Sequence, residues 1–452
     1  MNPYEIQTGP DSAKISKKIL KSIRINIISL HFGGENMDIQ PRCYDKVIQL
    51  MKKGVDIPNP LTLDLGDEVR VDQISGDGVK IYPGCRLYGE KTVISAGCRI
   101  GYESPVTIDN CQLGTDVELK GGYFTESVFL DKANMGSGAQ VREGCILEEE
   151  ANGAHCVGLK QTILFPFVTL GSLINFCDCL MAGGTSRKVH SEVGSSYIHF
   201  NFTPDGDKTT ASLFGDVPRG VMLNQPPIFL GGQGGTVGPS RMGYGNVVAA
   251  NSVLRNDFIE DNKLIVEKAQ SGKIIDFMPR AYPNIRRVVE NNVIYIANLR
   301  ALEEWYLRVR RPFFDDHEFG SLIFSGLLDK LGLATKERIK RLQVMAEKAK
   351  SSNEADAAAE PGIFERNEFF EKFAEIEALF TVPLDGGIEK YRDDFLSALH
   401  KAGSEKSAGY IAVIQGLPAN VAYKGTAWLQ RIVDTFCQKT QEVFPRLKLF
   451  GK

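Results

Sequence analysis

Arg142 and Lys160 are the first residues in this sequence whose types and spacing suggest chemistry. They stand one coil apart if the chain winds in coils of about 18 residues, so that their side chains stack on one face of a shaft. Stacked cations on a flat face grip an anionic oxygen, such as that of a phosphate, through charge-assisted hydrogen bonds. Lys208, in the segment DGDK, adds a third positive charge. The plain alternative is a solvated ladder. A general base is most often a histidine, and the chain offers His31, His155, His190, His199, His317 and His400. Only His190 and His199 lie beside polar stretches that read as loops. His199 sits in YIHFNF, a strand by pattern, where a structural role competes with a catalytic one. A zinc site would need three histidines on adjacent coils; His190 and His199 have no third neighbour nearer than His155, so no metal is predicted. Cys177 and Cys179 in FCDCLM should face one side of a strand and read as two buried apolar sulfurs rather than a redox or metal pair.

The element that must position these side chains announces itself as a period. From Ile81, aliphatic residues recur at Leu87, Ile94, Ile100, Val106, Leu113 and Leu119, then at Leu164, Leu170 and Phe176, and again at Met242, Val248 and Leu254. A step of about six fits neither a helix nor a simple strand, but it fits a hexapeptide-repeat β-helix with one inward apolar residue per short strand. A sandwich would alternate over longer strands between turn clusters. Gly84, Gly89, Gly97, Asp109, Asn110 and Gly114 suit its corners. Glycine, 45 of 452 residues against a usual share of about 7%, is concentrated between Gly66 and Gly245. The fold class predicted is therefore a mainly β solenoid, a parallel β-helix over residues 62–262. Two polar stretches should leave it as excursion loops, 182–190 (AGGTSRKVH) and 202–210 (FTPDGDKTT).

Residues 1–61 read as an N-terminal helical cap, with helical segments around 15–30 and 44–53. After the shaft comes a helical extension over 263–345, with Leu299, Leu302, Tyr306 and Val309 on one face. A polar, Ala-rich linker over 346–362 carries the helix-stopping Pro361, and a C-terminal helical region over 363–452 carries Phe369, Phe373, Ile376 and Leu379 on one face. The net charge of −3 argues against a protein held on nucleic acid by its overall charge. No run approaches the roughly 18 apolar residues of a membrane span, and no signal-peptide pattern opens the chain. A cytoplasmic protein is expected. The nine cysteines are scattered singly, which predicts reduced thiols and no disulfide framework.

Three segments carry a family resemblance: VREGCILEEEANGAHCVGLK, VGSSYIHFNFTPDGDKTT and IFLGGQGGTVGPSRMGYGNVVAANSVLRND. From about Gly138 to Asp257 the sequence resembles the acetyltransferase half of the bifunctional UDP-N-acetylglucosamine pyrophosphorylase / glucosamine-1-phosphate N-acetyltransferase, in the hexapeptide-repeat transferase superfamily. The resemblance implies a left-handed β-helix, a homotrimer with sites shared between neighbours, acetyl-CoA as co-substrate, and a sugar phosphate or nucleotide sugar as partner. It assigns Arg142, Lys160, Asn175 and Lys208 to the acceptor, and Asn201, Phe202, Gly231, Gly232, Ala249 and Ala250 to the CoA channel. An arm after the last coil would help cover CoA, which gives a role to Arg280, Arg286, Arg287, Arg300, Arg308, Arg310 and Arg311; pairing with Glu303 and Glu304 along a helix is the alternative.

Acyl transfer to an amine needs a base near the nitrogen and donors for the thioester oxyanion. His190 or His199 would be that base. The sequence departs from the family here, because Ser172 stands where the family's catalytic histidine is expected and Asn175 where a tyrosine is expected. Two functions therefore compete: an acetyl-CoA-dependent N-acetyltransferase on an amino sugar, and a non-catalytic sugar-nucleotide-binding or scaffold protein. The uridyltransferase half is expected to be absent, since GGENM at Gly33 to Met37 is no substitute for its Gly-rich loop.

Overall fold

An aliphatic side chain at every sixth residue gives each short strand one inward point, and three such strands close a triangular coil that hydrogen-bonds only to the coils above and below it. The computed structural model describes residues 29–32, 35–38, 42–201, 206–267, 272–274, 276, 282, 284–351, 363–381, 387–401 and 409–450. Within it, strands from Asp64–Leu65 to Leu264–Ile265 form a parallel β-solenoid. Its first face is a ten-stranded parallel sheet running from Lys80–Ile81 to Leu264–Ile265. The second face runs from Asp64–Leu65 to Val253–Leu254, and the third from Val93–Ile94 to Arg241–Met242. These two merge into one sheet of 16 strands, because Gly158–Leu164 and Asn175–Met181 bend around the corner between them without a break.

The expected register holds with one shift. Leu87 pairs with Ile108, and Ile108 with Phe124, so Ile108 continues the column of Leu87, while Val106, two residues earlier and equally buried, faces the interior beside it. Corners recur with a residue at positive φ. Gly84, Gly89, Gly97 and Asn110 fill that place as expected, whereas Asp109 and Gly114 do not; farther along it is taken by Cys156, Gln161, Phe167, Leu173 and Asp178. Each such side-chain-bearing residue costs roughly 1–3 kcal/mol, which the stacked coils override.

The 182–190 excursion is an antiparallel hairpin of Gly184–Ser186 with Val189–His190. Of the 202–210 excursion, residues 206–210 are described. A third excursion around the short helix Val217–Gly220, capped by Asp216, carried no signal in the period. At the N-terminus, residues 1–28 of the expected helical cap lie outside the described residues. Ser29–Phe32 pairs with Glu35–Asp38 as a hairpin, not the helix expected through Leu30, while the helix Tyr44–Lys53 buries Val47 and Leu50.

The helical region packs on the third face. Ile285–Trp305 buries Leu299 and Leu302, and Tyr306 and Val309 follow in a π-turn. The long helix Gly320–Ser351 lies along the corner between the second and third faces. Asp329 meets Lys91 at 3.0 Å, Lys330 pairs with Glu126, and Arg338 meets Asp178 at 2.7 Å. Lys330 and Arg338 are separated by about 12 Å of helix rise, close to the roughly 14 Å that three coil spacings put between Glu126 and Asp178. This helix continues through Ser351 with Ala346 and Ala349 buried, so the start of the expected linker is helix; residues 352–362 lie outside the described residues. Among the described residues no helix is long and apolar enough to cross a membrane. All nine cysteines are free thiols.

Candidate functional site

Parallel pairing of Val141 with Leu159 and of Lys160 with Cys177 stacks Arg142, Lys160 and Cys177 in one outward column of the second face. Asn175, exposed and paired with Gly158, begins the neighbouring column. Lys160 Nζ lies 2.5 Å from Glu143 Oε1. Burial alone would raise the Glu143 carboxyl, but the hydrogen bond and charge of Lys160, with Arg142 beside it, carry it below its ordinary value. The Cys177 thiol donates to Asn175 Oδ1 at 3.1 Å and is pushed up to about 11, chiefly by burial. Cys177 and Cys179 do not share a side as expected: the bend at Asp178, where φ is positive, leaves Cys177 in the outward column and puts Cys179 in the interior. The long helix forms the opposite wall of a cleft of about 330 Å³, where Lys336, Lys340 and the Arg341–Glu337 pair stand across from Glu143, Lys160 and Gln161. Sequence reasoning missed these helix cations, since no local pattern says which corner of the shaft a distant helix will follow.

The corner between the first and second faces adjoins this column. On it Ser172 Oγ lies 2.9 Å from His155 Nδ1 in the coil below, and the Ser172 N–H donates to Ser195 Oγ in the coil above at 3.2 Å. Beyond Ser195 the corner passes Gly194, Gly231, Gly232, Ala249 and Ala250, a track of small residues with Gln233 and Asn251 exposed beside it. A Cβ on Gly194 would collide with the Gly232 nitrogen, and one on Gly231 would come within 2.5 Å of the Ala250 nitrogen, so the close seating of the coils excludes larger residues. Exposed Ile198 and Phe200 border this track on the second face, and Phe229 and Val247 on the first.

The chain is 29% identical over 236 residues to the Bifunctional protein GlmU of Acinetobacter baumannii, covering 49% of this chain and 43% of that protein. It is 26% identical over 212 residues to the Bifunctional protein GlmU of Thermotoga maritima, covering 47% of this chain and 42% of that protein. The solenoid is GlmU-like. The chain covers less than half of the length of either relative. No family model matches the chain.

The GlmU-like solenoid does not bring all the expected site residues together. His190 sits in the hairpin on the corner between the third and first faces, with Nδ1 2.9 Å from the Arg187 carbonyl oxygen and Nε2 3.8 Å from Glu192, away from the Arg142–Lys160 column. His199 points into the shaft, paired with Thr236 and 3% exposed, its ring against Phe176 and Phe214 and its Nε2 2.8 Å from Ser212 Oγ. Desolvation there lowers its pKa to about 4. An interior imidazole cannot take a proton from a substrate on the outside. Asn201 lies on the corner between the second and third faces, where it donates to Asp178 at 3.1 Å and accepts from Thr210. Lys208 is exposed beyond that corner, and Phe202 lies outside the described residues.

The arginine-rich stretch is largely engaged within the fold. Arg287 meets Asp257 at 3.0 Å, Arg300 pairs with Glu303 and Glu304, Arg308 meets Glu304 at 3.4 Å, and Arg310 is buried against Glu148 and Glu149. Arg280 lies outside the described residues. A larger cavity of about 580 Å³ lies between the third-to-first corner and the helical region, lined by Glu149, Arg310, Phe313 and Tyr410 among others, at a different corner from the cation column. Among the described residues no group of three His, Cys, Asp or Glu side chains could hold a metal ion.

Proposed function

We infer that this chain is an acetyltransferase-like hexapeptide protein that moves an acetyl group from acetyl-CoA to the amino group of a sugar phosphate or nucleotide sugar. The observation that carries the reading is the column of Arg142 and Lys160 with Asn175 beside it, adjoining a corner whose upper coils present a track of glycine and alanine. The cations and the Asn175 amide suit a phosphorylated sugar, and the Lys336 and Lys340 wall extends the positive charge on which a phosphate would rest. The bare corner, bordered by apolar side chains, suits the narrow pantetheine arm and thioester of CoA. His190, His199, Asn201 and Lys208 drop out of this arrangement in the single chain.

Purified protein should release free thiol from acetyl-CoA only when an amino sugar phosphate is present. Arg142→Ala should weaken binding of that sugar by about 1.5 to 3 kcal/mol through loss of a charge-assisted pair, with stability nearly unchanged because the side chain is exposed. Equal binding by mutant and wild type would make the column a solvated ladder.

A second reading has its own support. Ser172, in the place where the resemblance expects a histidine, favours a protein that binds the sugar nucleotide without turnover; calorimetric binding with no thiol release would select it.

A homotrimer is the assembly this reading calls for. The helical region packs against the third face, while the first and second faces expose Phe229, Val247 and Leu264, and Ile198 and Phe200, the two surfaces a three-fold contact would use. Light scattering should give about 150 kDa, three times the chain mass of 49.9 kDa. A stable monomer at micromolar concentration would oppose the assembly.

A further inference from the structure

We propose that Ser172 and His155 are the proton-transfer pair of the acetyl transfer, Ser172 touching the acceptor amine and His155 receiving its proton one coil below. The proposal rests on the transferase reading above. Of the histidines on the solenoid, His199 is sealed in the interior and His190 is held on a different corner, whereas His155 is exposed where the cation column meets the bare track. Its Nδ1 lies 2.9 Å from Ser172 Oγ. Both residues are fixed by their main chains: the Leu173 N–H donates to the His155 carbonyl at 3.1 Å, the Ser196 N–H donates to the Ser172 carbonyl at 2.8 Å, and the Ser172 N–H is held by Ser195 Oγ. The corner above the pair carries Ser195, Ser196 and a track of glycine and alanine, with Gln233 and Asn251 exposed along its edge, and Asn175 begins the second face three positions after Ser172. An acceptor held on that face therefore has its amine near Ser172.

The step balances without a further reactant. The amine nitrogen attacks the thioester carbonyl, and the carbon–sulfur bond breaks as the carbon–nitrogen bond forms. The proton lost by the nitrogen passes to Ser172 Oγ while the Ser172 hydroxyl proton moves to His155 Nδ1, and the departing CoA thiolate takes up a proton from the imidazolium or from solvent. The imidazole must begin neutral with its proton on Nε2. The charged and titratable groups on the elements meeting at this corner are Arg142, Glu143, Lys160 and Cys177 on the second face, Glu192 on the first, and Cys156 beside the histidine.

The test uses the full chain with acetyl-CoA and glucosamine 1-phosphate. His155→Ala and Ser172→Ala should each lower kcat by about a hundredfold or more, the usual contribution of general-base catalysis, with the KM for acetyl-CoA within about twofold. Ser172→Thr, which keeps the hydroxyl, should retain most of the rate. The fall of kcat/KM at acid pH, which reports a base that must be neutral, should disappear in His155→Ala, and added imidazole should restore part of the rate. Matching melting curves check that the variants fold, and Ser172→Ala carries the test if His155→Ala does not. An active wild type whose rate and pH profile survive both alanine substitutions would overturn the pair alone. A wild type that releases no thiol with any amino sugar phosphate would overturn the transferase reading and the pair with it.

Discussion

Replacing Arg310 by methionine should lower folding stability by about 3 to 5 kcal/mol, the cost of stranding buried charge. Arg310 is 1% exposed, with Nη1 3.0 Å from Glu148 Oε2, Nη2 bonded to Glu149, and its guanidinium 3.9 Å over the Tyr410 ring. Burial already pushes the Glu148 carboxyl up to about 7 even with Arg310 beside it and Tyr306 donating to it. Without the guanidinium the buried Glu148 carboxylate must either remain charged in an apolar setting or bind a proton that the unfolded chain does not hold. The folded variant then carries more protons than its unfolded state above the ordinary carboxyl pKa, so its stability falls as pH rises. The deficit should therefore be larger at pH 8 than at pH 5.5. Urea midpoints at the two values check this, and a deficit independent of pH would refute the account. Arg310→Met combined with Glu148→Gln should recover part of the loss, because the second change removes one stranded charge.

His199 should impose a second, opposite pH dependence. The unfolded chain carries an ordinary histidine near 6.5, while the shaft holds this one at about 4 by desolvation. Stability from the neutral ring is complete above 6.5 and is lost as pH falls towards 4, because in that window the unfolded chain binds a proton that the native ring refuses. At about 1.36 kcal/mol per pKa unit the full loss is on the order of 3 kcal/mol. His199→Phe should remove this acid limb. The new ring would lie among Phe176 and Phe214, and Ser212 Oγ would still accept the Ser240 N–H at 2.9 Å. Glu148 raises the stability of both proteins as pH falls through its own pKa, so the readout is the difference: from pH 7.5 to 4.5 the urea midpoint of wild type should lose ground steadily to that of the variant, and parallel curves would mean that His199 does not contribute.

The shaft was readable because each coil repeats one physical demand, an apolar residue inward at each short strand. Leu164, Leu170 and Phe176 fall in register without any knowledge of the third dimension, and at the buried Val106 the ladder position slips by two residues only because the preceding corner is longer. What the period does not encode is which corner an insertion leaves from. His190 and Lys208 are close to the site in sequence, yet the coil turns between them and the column, so they emerge at other corners. His199 keeps strand periodicity, but nothing in YIHFNF says that its inward position is occupied by an imidazole hydrogen-bonded to Ser212. The Arg142–Lys160 stack was visible since it needs only one coil length. The Ser172–His155 contact needs the same arithmetic across a coil of 17 residues, but neither residue type by itself signals that the two side chains meet.

The ion pairs of the long helix bear on how the shaft comes apart. A solenoid whose coils touch only their neighbours behaves as a one-dimensional stack, free to fray from either end or open in the middle. Lys91, Glu126 and Asp178 belong to coils that never touch one another, yet one helix holds all three through Asp329, Lys330 and Arg338. That helix acts as a splint. A break between any two of these coils must also tear a side chain from it, so the splinted part of the ladder resists fraying as a block, while the coils beyond its reach keep the independence of a bare stack.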